Sequence, residues 1–255
     1  GWSAWNNDFR DPVKHFLSGH GDKEAVIKAM RGSVDLWTAR PLQSVNYLES
    51  HDDMCLTDEL SMDAKKDGRK LTETLAARSR LGATLMFTSL GIPMVAEGQE
   101  FLRSKHGFHN TYNMGDAINA LKWTDRDRPL AQLTQSYYAG LARLRASDAG
   151  GAFKVGDKIP LDHYRWIKPR EKAALGYVVN ADQTTGGAAF VVLVNACLRT
   201  VGFDVLFPDG EWIMVGDGKQ INEQGIPGAV LPPLGPQGRR HVKVPKLSSQ
   251  IFMRR

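Results

Sequence analysis

The hydrophobic pattern of this 255-residue chain changes period once, at Ser147-Asp148-Ala149-Gly150-Gly151, and the change demands two architectures in one molecule. Before it, helical stretches alternate with short apolar runs, the pattern of an α/β fold with parallel strands. After it, short β-rich runs at 177–180, 189–194, 203–207, 212–215, 241–244 and 249–253 are separated by turns. Asp209-Gly210 and Asp217-Gly218 are hairpin-type turn signals, and 225–238 is too rich in Gly and Pro for a regular element. The reading is α/β plus all-β: an α/β unit over 1–148, then an antiparallel β-sandwich over 149–255.

In the first half, 1–7 reads as the end of a strand running into a loop. Asp11-Pro12 predicts a helix start, with Asp as N-cap and Pro at the first helical position. Val13, Phe16 and Leu17 form that helix's apolar face, and Gly19 fits its C′ position. A second helix over 23–31 turns Val26, Ile27 and Met30 inward. Val45–Leu48 reads as a buried strand, 72–90 as a long helix, and 92–96 as another short buried strand with Pro93 near its start. Pro129 opens a helix to Arg145, with Leu130, Leu133, Tyr137, Leu141 and Leu144 on one face.

Composition narrows the function classes. The net charge of +5 is spread along the chain without a Lys/Arg block interleaved with aromatics, so nucleic acid is not an expected partner. No stretch approaches the ~18–20 apolar residues of a membrane span, so no membrane partner is expected either. Cys55 and Cys197 read as buried reduced thiols rather than a disulfide framework. No signal peptide is visible, and a chain opening at Gly1 in mid-domain sequence gives no compartment.

Chemistry concentrates where the first buried strand leaves the core, at Glu49-Ser50-His51-Asp52-Asp53. Burying ionised groups without partners is costly, so His51 and Asp52 belong at the strand's exit, where a parallel β/α barrel presents its catalytic groups. The plain alternative is a solvated loop that begins His-Asp. Residues so close along one strand point to both faces and cannot converge on a metal, and His106 and His109 add no matching spacing. No metal and no cofactor is expected. A second cluster, Glu97-Gly98-Gln99-Glu100 with Arg103, leaves the second strand at the same end, either as a functional group or as a structural ion pair. The loop Asn110-Thr111-Tyr112-Asn113-Met114-Gly115-Asp116 has amides, a carboxylate and a ring that suit a polyhydroxylated ligand, and it is equally an ordinary turn former.

Asn46-Tyr47-Leu48-Glu49-Ser50-His51-Asp52 resembles the strand-seven motif of the α-amylase family of glycoside hydrolases, in the form of its pullulanase-like, α-1,6-debranching branch. The segment from Gly91 to Lys105 resembles that branch's strand-eight segment, Asn110 to Trp123 its next loop, and Trp5 to Asp11 the region of strand six. Order and spacing agree over roughly the first 125 residues, and a β-sandwich is the family's usual C-terminal domain. The resemblance implies the last β/α units of a TIM-type (β/α)8 barrel followed by that sandwich. It implies retaining hydrolysis of α-glucosidic bonds in pullulan, starch or glycogen. Asp52 would steady the oxocarbenium-like transition state, His51 would bond the same sugar, and Asp116, Asn113 and Glu100 would serve substrate binding. Asp53 departs from the pattern, since the branch often has Asn there.

A retaining glycosidase also needs a nucleophile and an acid/base carboxylate about 5 Å apart. In this family they follow strands four and five, and no segment here resembles those motifs. A full barrel takes about 250 residues, more than precede the sandwich. The expectation is a chain that is inactive alone. Its partners would be an α-glucan and a missing N-terminal barrel half, on the same or a separate polypeptide. A non-catalytic glucan-binding module is the alternative. Unpaired strand edges and uncovered apolar faces predict self-association, with the C-terminal half the more stable.

Overall fold

The computed structural model describes residues 1–62 and 64–255. Its first half runs β1 (Ala4–Trp5), α1 (Asn7–Leu17), α2 (Lys23–Met30), β2 (Ser44–Tyr47), α3 (Leu56–Glu59), α4 (Glu73–Phe87), β3 (Ile92–Met94), α5 (Asp116–Asn119) and α6 (Pro129–Ala146). The three strands form a parallel sheet in the order β1-β2-β3, with helices in both crossovers. Parallel pairing follows from those helical connections, which are long enough to return each strand in the same direction.

Two expectations for this half are corrected. The strand expected to be buried over 92–96 spans Ile92–Met94 and lies at a sheet edge with Ile92 exposed. α1 begins at Asn7, not at Asp11-Pro12, and Pro12 lies inside it. The cap is Asn6, whose Oδ1 accepts the Phe9 N–H at 3.1 Å. Asn6 is fully buried, and its Nδ2 donates to Ser33 Oγ at 2.8 Å and Ser44 Oγ at 2.6 Å. A cap pinned on both sides of its amide sets the helix start ahead of the exposed Asp-Pro pair. The other end matches expectation. Gly19, at φ +88°, donates to the Phe16 carbonyl while His20 donates to that of His15, a Schellman closure.

The polar network continues under the sheet. Asn46 Nδ2 donates to Ser89 Oγ at 2.9 Å and to the Leu90 carbonyl at 2.7 Å, tying β2 to the turn that opens β3. Gly91 in that turn has φ +106°, and a Cβ there would sit 2.9 Å from the Ser44 carbonyl. From α6, buried Arg145 donates to the carbonyls of Phe87, Ser89 and Gly91, each at 2.7 Å. The α4–β3 turn is therefore fixed from two directions.

The second half holds β4 (Tyr164–Ile167), β5 (Ala174–Val179), β6 (Phe190–Asn195), β7 (Val201–Val205), β8 (Trp212–Gly216), β9 (Arg240–Val244) and β10 (Ser248–Arg254). Antiparallel pairing gives a five-stranded sheet, β4-β5-β6-β10-β8, and a pair, β7-β9. β4 escapes the sequence pattern because it is short, carries Arg165 and lies between Pro160 and Pro169. Asp209-Gly210 is not a hairpin turn, since it carries the chain from β7 in one sheet to β8 in the other. Asp217-Gly218 does close a tight turn, the Asp217 N–H bonding the Gln220 carbonyl at 3.3 Å.

β5 and β6 are buried along their whole length because both faces are covered. Ala174, Val178, Val191 and Leu193 meet Val201, Phe203, Val242 and Val244 of the two-stranded sheet. On the opposite face, Tyr177, Val192, Val194 and Ile251 join the same apolar cluster as Phe9, Leu81, Tyr137 and Leu141 of the helices. Hydroxyls stitch that layer: Tyr137 with Ser249 at 2.9 Å and with Thr84 at 2.8 Å, and Thr88 with Tyr177 at 2.6 Å. The residues on either side of Ser147–Gly151 thus share one core.

Candidate functional site

Parallel strands end on the same side, and here β1 and β2 release their polar residues into one cleft of ≈ 520 Å³. Trp5 and Asn7 come from the end of β1, Arg10 from the first turns of α1, and Tyr47, Asp52 and Asp53 from β2 and its loop. His109 and Asn110 close the far side from the loop that follows β3.

The floor is ordered by Tyr47, which is buried. Its hydroxyl donates to Asn7 Oδ1 at 2.5 Å and accepts from Arg10 Nη1 at 3.2 Å. Arg10 also lies over the Tyr47 ring, 5.5 Å from its centroid. Burial pushes the Tyr47 hydroxyl above its ordinary range, and the Arg10 charge opposes that shift. The half-exposed Trp5 ring stands 5.6 Å from Tyr47 and 5.5 Å, edge-on, from His51. His51 and Asp52 project outward, their side chains 75% and 74% exposed, with Nε2 and Oδ2 3.4 Å apart. Trp5 and Asp52 line the cleft, and the exposed His51 imidazole stands beside both; among the described residues no Lys or Arg pairs with the Asp52 carboxylate.

Asp53 is arranged differently. It takes a left-handed backbone, φ +62°, which Asp tolerates better than most residues. Its two oxygens meet Arg10 Nη1 and His109 Nε2, each at 3.2 Å. Asp53 is thus a strut across the cleft rather than a free carboxylate.

The remaining candidates lie elsewhere. Glu100 turns back on its own loop, Oε2 accepting the Gly98 N–H at 3.1 Å. The ion-pair alternative for Glu100 and Arg103 is not realised: Arg103 Nη2 donates to the Asn119 carbonyl instead. Asn113 is exposed on the loop, and Asp116, also exposed, opens α5; neither lines the cleft with Asp52. Cys55 is buried, Cys197 half-buried, and both are free thiols.

Sequence reasoning missed Trp5, Asn7, Arg10 and Tyr47 as cleft residues. A signal existed in the spacing of Asn7 and Arg10, which share a helix face at i,i+3 once α1 is started at Asn7. Placing the helix start at Asp11 hid it.

No family model matches the chain. It is 35% identical over 145 residues to the pullulanase of Bacillus subtilis, an alignment covering 50% of this chain and 19% of the relative. It is 28% identical over 250 residues to a glycogen debranching enzyme of Dickeya chrysanthemi, covering 83% of this chain and 36% of the relative. The fold superimposes on the Group B Streptococcus pullulanase SAP, solved in complex with maltotetraose, with a TM-score of 0.84 at 20% identity, over 98% of this chain and 38% of that one. The chain thus spans between 19% and 36% of the length of these curated relatives. The chain is thus similar in sequence to pullulanases and glycogen debranching enzymes and in fold to pullulanases, consistent with a C-terminal part of an amylase-family debranching enzyme.

Proposed function

We propose that this chain supplies one wall of the active site of a retaining α-glucan hydrolase of the debranching type. Its three parallel strands are read as the closing units of a (β/α)8 barrel, and 149–255 as the β-sandwich that follows. The observation that carries the reading is the cleft at the strand ends, lined by Trp5 and the exposed carboxylate of Asp52, with His51 against both. Sugars are bound by that combination, since rings pack on their apolar faces while charged and amide groups bond their hydroxyls. Asp52 would steady positive charge developing at an anomeric carbon. His51 would hydrogen-bond the same sugar, while Asn113, Asp116 and Glu100 would touch outlying units of a longer glucan.

Hydrolysis with retention needs two carboxylates on opposite sides of the scissile bond. Among the described residues the carboxylates lining this cleft are Asp52 and Asp53. They follow one another on a single loop, and Asp53 is engaged by Arg10 and His109. The nucleophile and the acid/base are therefore assigned to residues outside this chain, on the barrel half that would pair with the open edges of β1 and β3. The test is incubation of the pure chain with pullulan. No reducing ends above background are expected, because losing both groups removes many powers of ten in rate. Measurable cleavage that disappears in an Asp52→Asn variant would refute the division of labour.

A further inference from the structure

Three residues before Asp52, the chain buries a carboxyl group that the glucan reading does not use. Glu49 follows β2 closely, one residue beyond Leu48, and is 2% exposed. Its Oε2 accepts the Leu56 N–H at 2.8 Å, across the segment 50–55 that carries His51, Asp52 and Asp53. Leu56 is the first residue of α3, so its N–H is one of the donors a helix start leaves without a partner. A carboxylate from seven residues upstream satisfies it.

α3 is itself immobilised. Asp58 is fully buried, its Oδ1 accepting from Ser104 Oγ at 2.6 Å and the Gly68 N–H at 2.8 Å, and its Oδ2 from the Lys105 N–H at 2.7 Å. The 50–55 segment therefore hangs between two fixed points, β2 and α3, and Glu49 joins them at the neck. Within the segment the ties are slight: Ser50 Oγ reaches the Asp52 carbonyl at 3.4 Å, and Asp53 is held from outside by Arg10 and His109. A residue kept here for packing alone would be apolar, since a buried carboxyl is costly unless its bonds are used.

We propose that Glu49 is the positioning residue for Asp52: its bond to the Leu56 N–H closes the neck of the loop and fixes where the Asp52 carboxylate enters the cleft. The inference rests on the reading of Asp52 as a sugar contact. Glu49 is faced by the Cys55 thiol from its own loop, with Asp58 beyond it, by Arg103 and Lys105 from the segment after β3, and by the Tyr138 hydroxyl from α6. Burial pushes its carboxyl up to about 7, with the Leu56 N–H, the Cys55 thiol and the charges of Arg103 and Lys105 opposing. A carboxylate accepts more strongly than a carboxyl group, so the neck tightens as pH rises through neutrality. The Nε of Arg103 is buried without a hydrogen-bond partner among the described residues, which leaves a donor close to the charge that then forms.

The test follows the Leu56 N–H resonance and its exchange protection in the ¹⁵N-labelled chain across neutral pH. Wild type is expected to show one titration step at Leu56. In E49Q the step disappears while protection remains, because the amide oxygen still accepts. In E49A, Leu56 loses protection by roughly tenfold or more while β5 and β6 amides keep theirs. A step that persists in E49Q, or equal protection of Leu56 in E49A, would overturn the proposal. Should E49A not fold, seen as lost β6 protection, E49Q alone decides in the same two directions. Maltotetraose titrations run in parallel. Weaker binding in E49A restored in E49Q supports the role, and unchanged binding in E49A contradicts it. A wild type that binds no maltotetraose removes the glucan reading, while the Leu56 resonance still decides whether Glu49 closes the neck.

Discussion

At the scale of single residues, buried titratable groups tilt stability with pH in opposite senses. His163 is 1% exposed; Nε2 bonds the Ala152 carbonyl at 2.9 Å, and Nδ1 is buried without a partner among the described residues. Burial lowers its pKa in the folded state. The unfolded chain then binds the proton more readily, so this contribution is present above the unfolded value and is lost as pH falls. Glu49 runs the other way. Its folded value, raised from 4.5 to about 7, gives a contribution that is complete below the unfolded value and lost as pH rises through about 7. The full loss corresponds to roughly 3 kcal/mol. Urea unfolding is expected to show E49Q gaining on wild type as pH rises from about 4.5 to about 7, and His163→Gln gaining on it as pH falls below about 6.5. Parallel pH profiles for wild type and both variants would count against this assignment. The carboxylate and imidazole of the cleft were legible in the sequence because an apolar strand cannot end inside the core with His-Asp. Arg10 and Tyr47 were not, because their roles depend on which turn of α1 lies over β2.

At the scale of elements, the turn between α4 and β3 depends on a side chain far away in sequence. Arg145, on α6, bonds three carbonyls there, and burial lowers its guanidinium pKa to about 10, which keeps it charged at neutral pH. Arg145→Ala would leave those carbonyls buried and unpaired, an expected loss of roughly 3–5 kcal/mol. Denaturant midpoints compared with those of Arg143→Ala, on the exposed side of the same helix, provide the check. Equal effects of the two substitutions would contradict it. Most helices and strands could be read from periodicity and punctuation, since Gly19, Gly32 and Gly91 stop elements where the chain must take a positive φ. The start of α1 could not, because its cap is set by Ser33 and Ser44, which approach Asn6 only in the folded state.

At the scale of the whole molecule, the two halves share one core. Tyr177, Val192, Val194 and Ile251 are covered by the helices of the first half, so removing that half would strip one face of the five-stranded sheet. The two halves are expected to unfold together. The three-stranded sheet is the exposed part: β1 and β3 are its edge strands, and Trp2, Trp37, Leu42 and Ile92 are exposed large apolar residues of the same half. Parallel sheets are ordinarily covered on both faces and continued at their edges. Light scattering is expected to report species larger than a monomer, and a monodisperse monomer would contradict that.

Residue, element and molecule meet in the cleft beneath Asp52, which is expected to receive an α-glucan. Titration of maltotetraose into the chain, with the indole N–H of Trp5 and the ring resonances of His51 followed by NMR, reads that event where it occurs. Saturable shifts of both, abolished by Asp52→Asn, are predicted. Binding that leaves Trp5 and His51 unmoved, or no binding at saturating sugar, would contradict a glucan-binding role for the cleft.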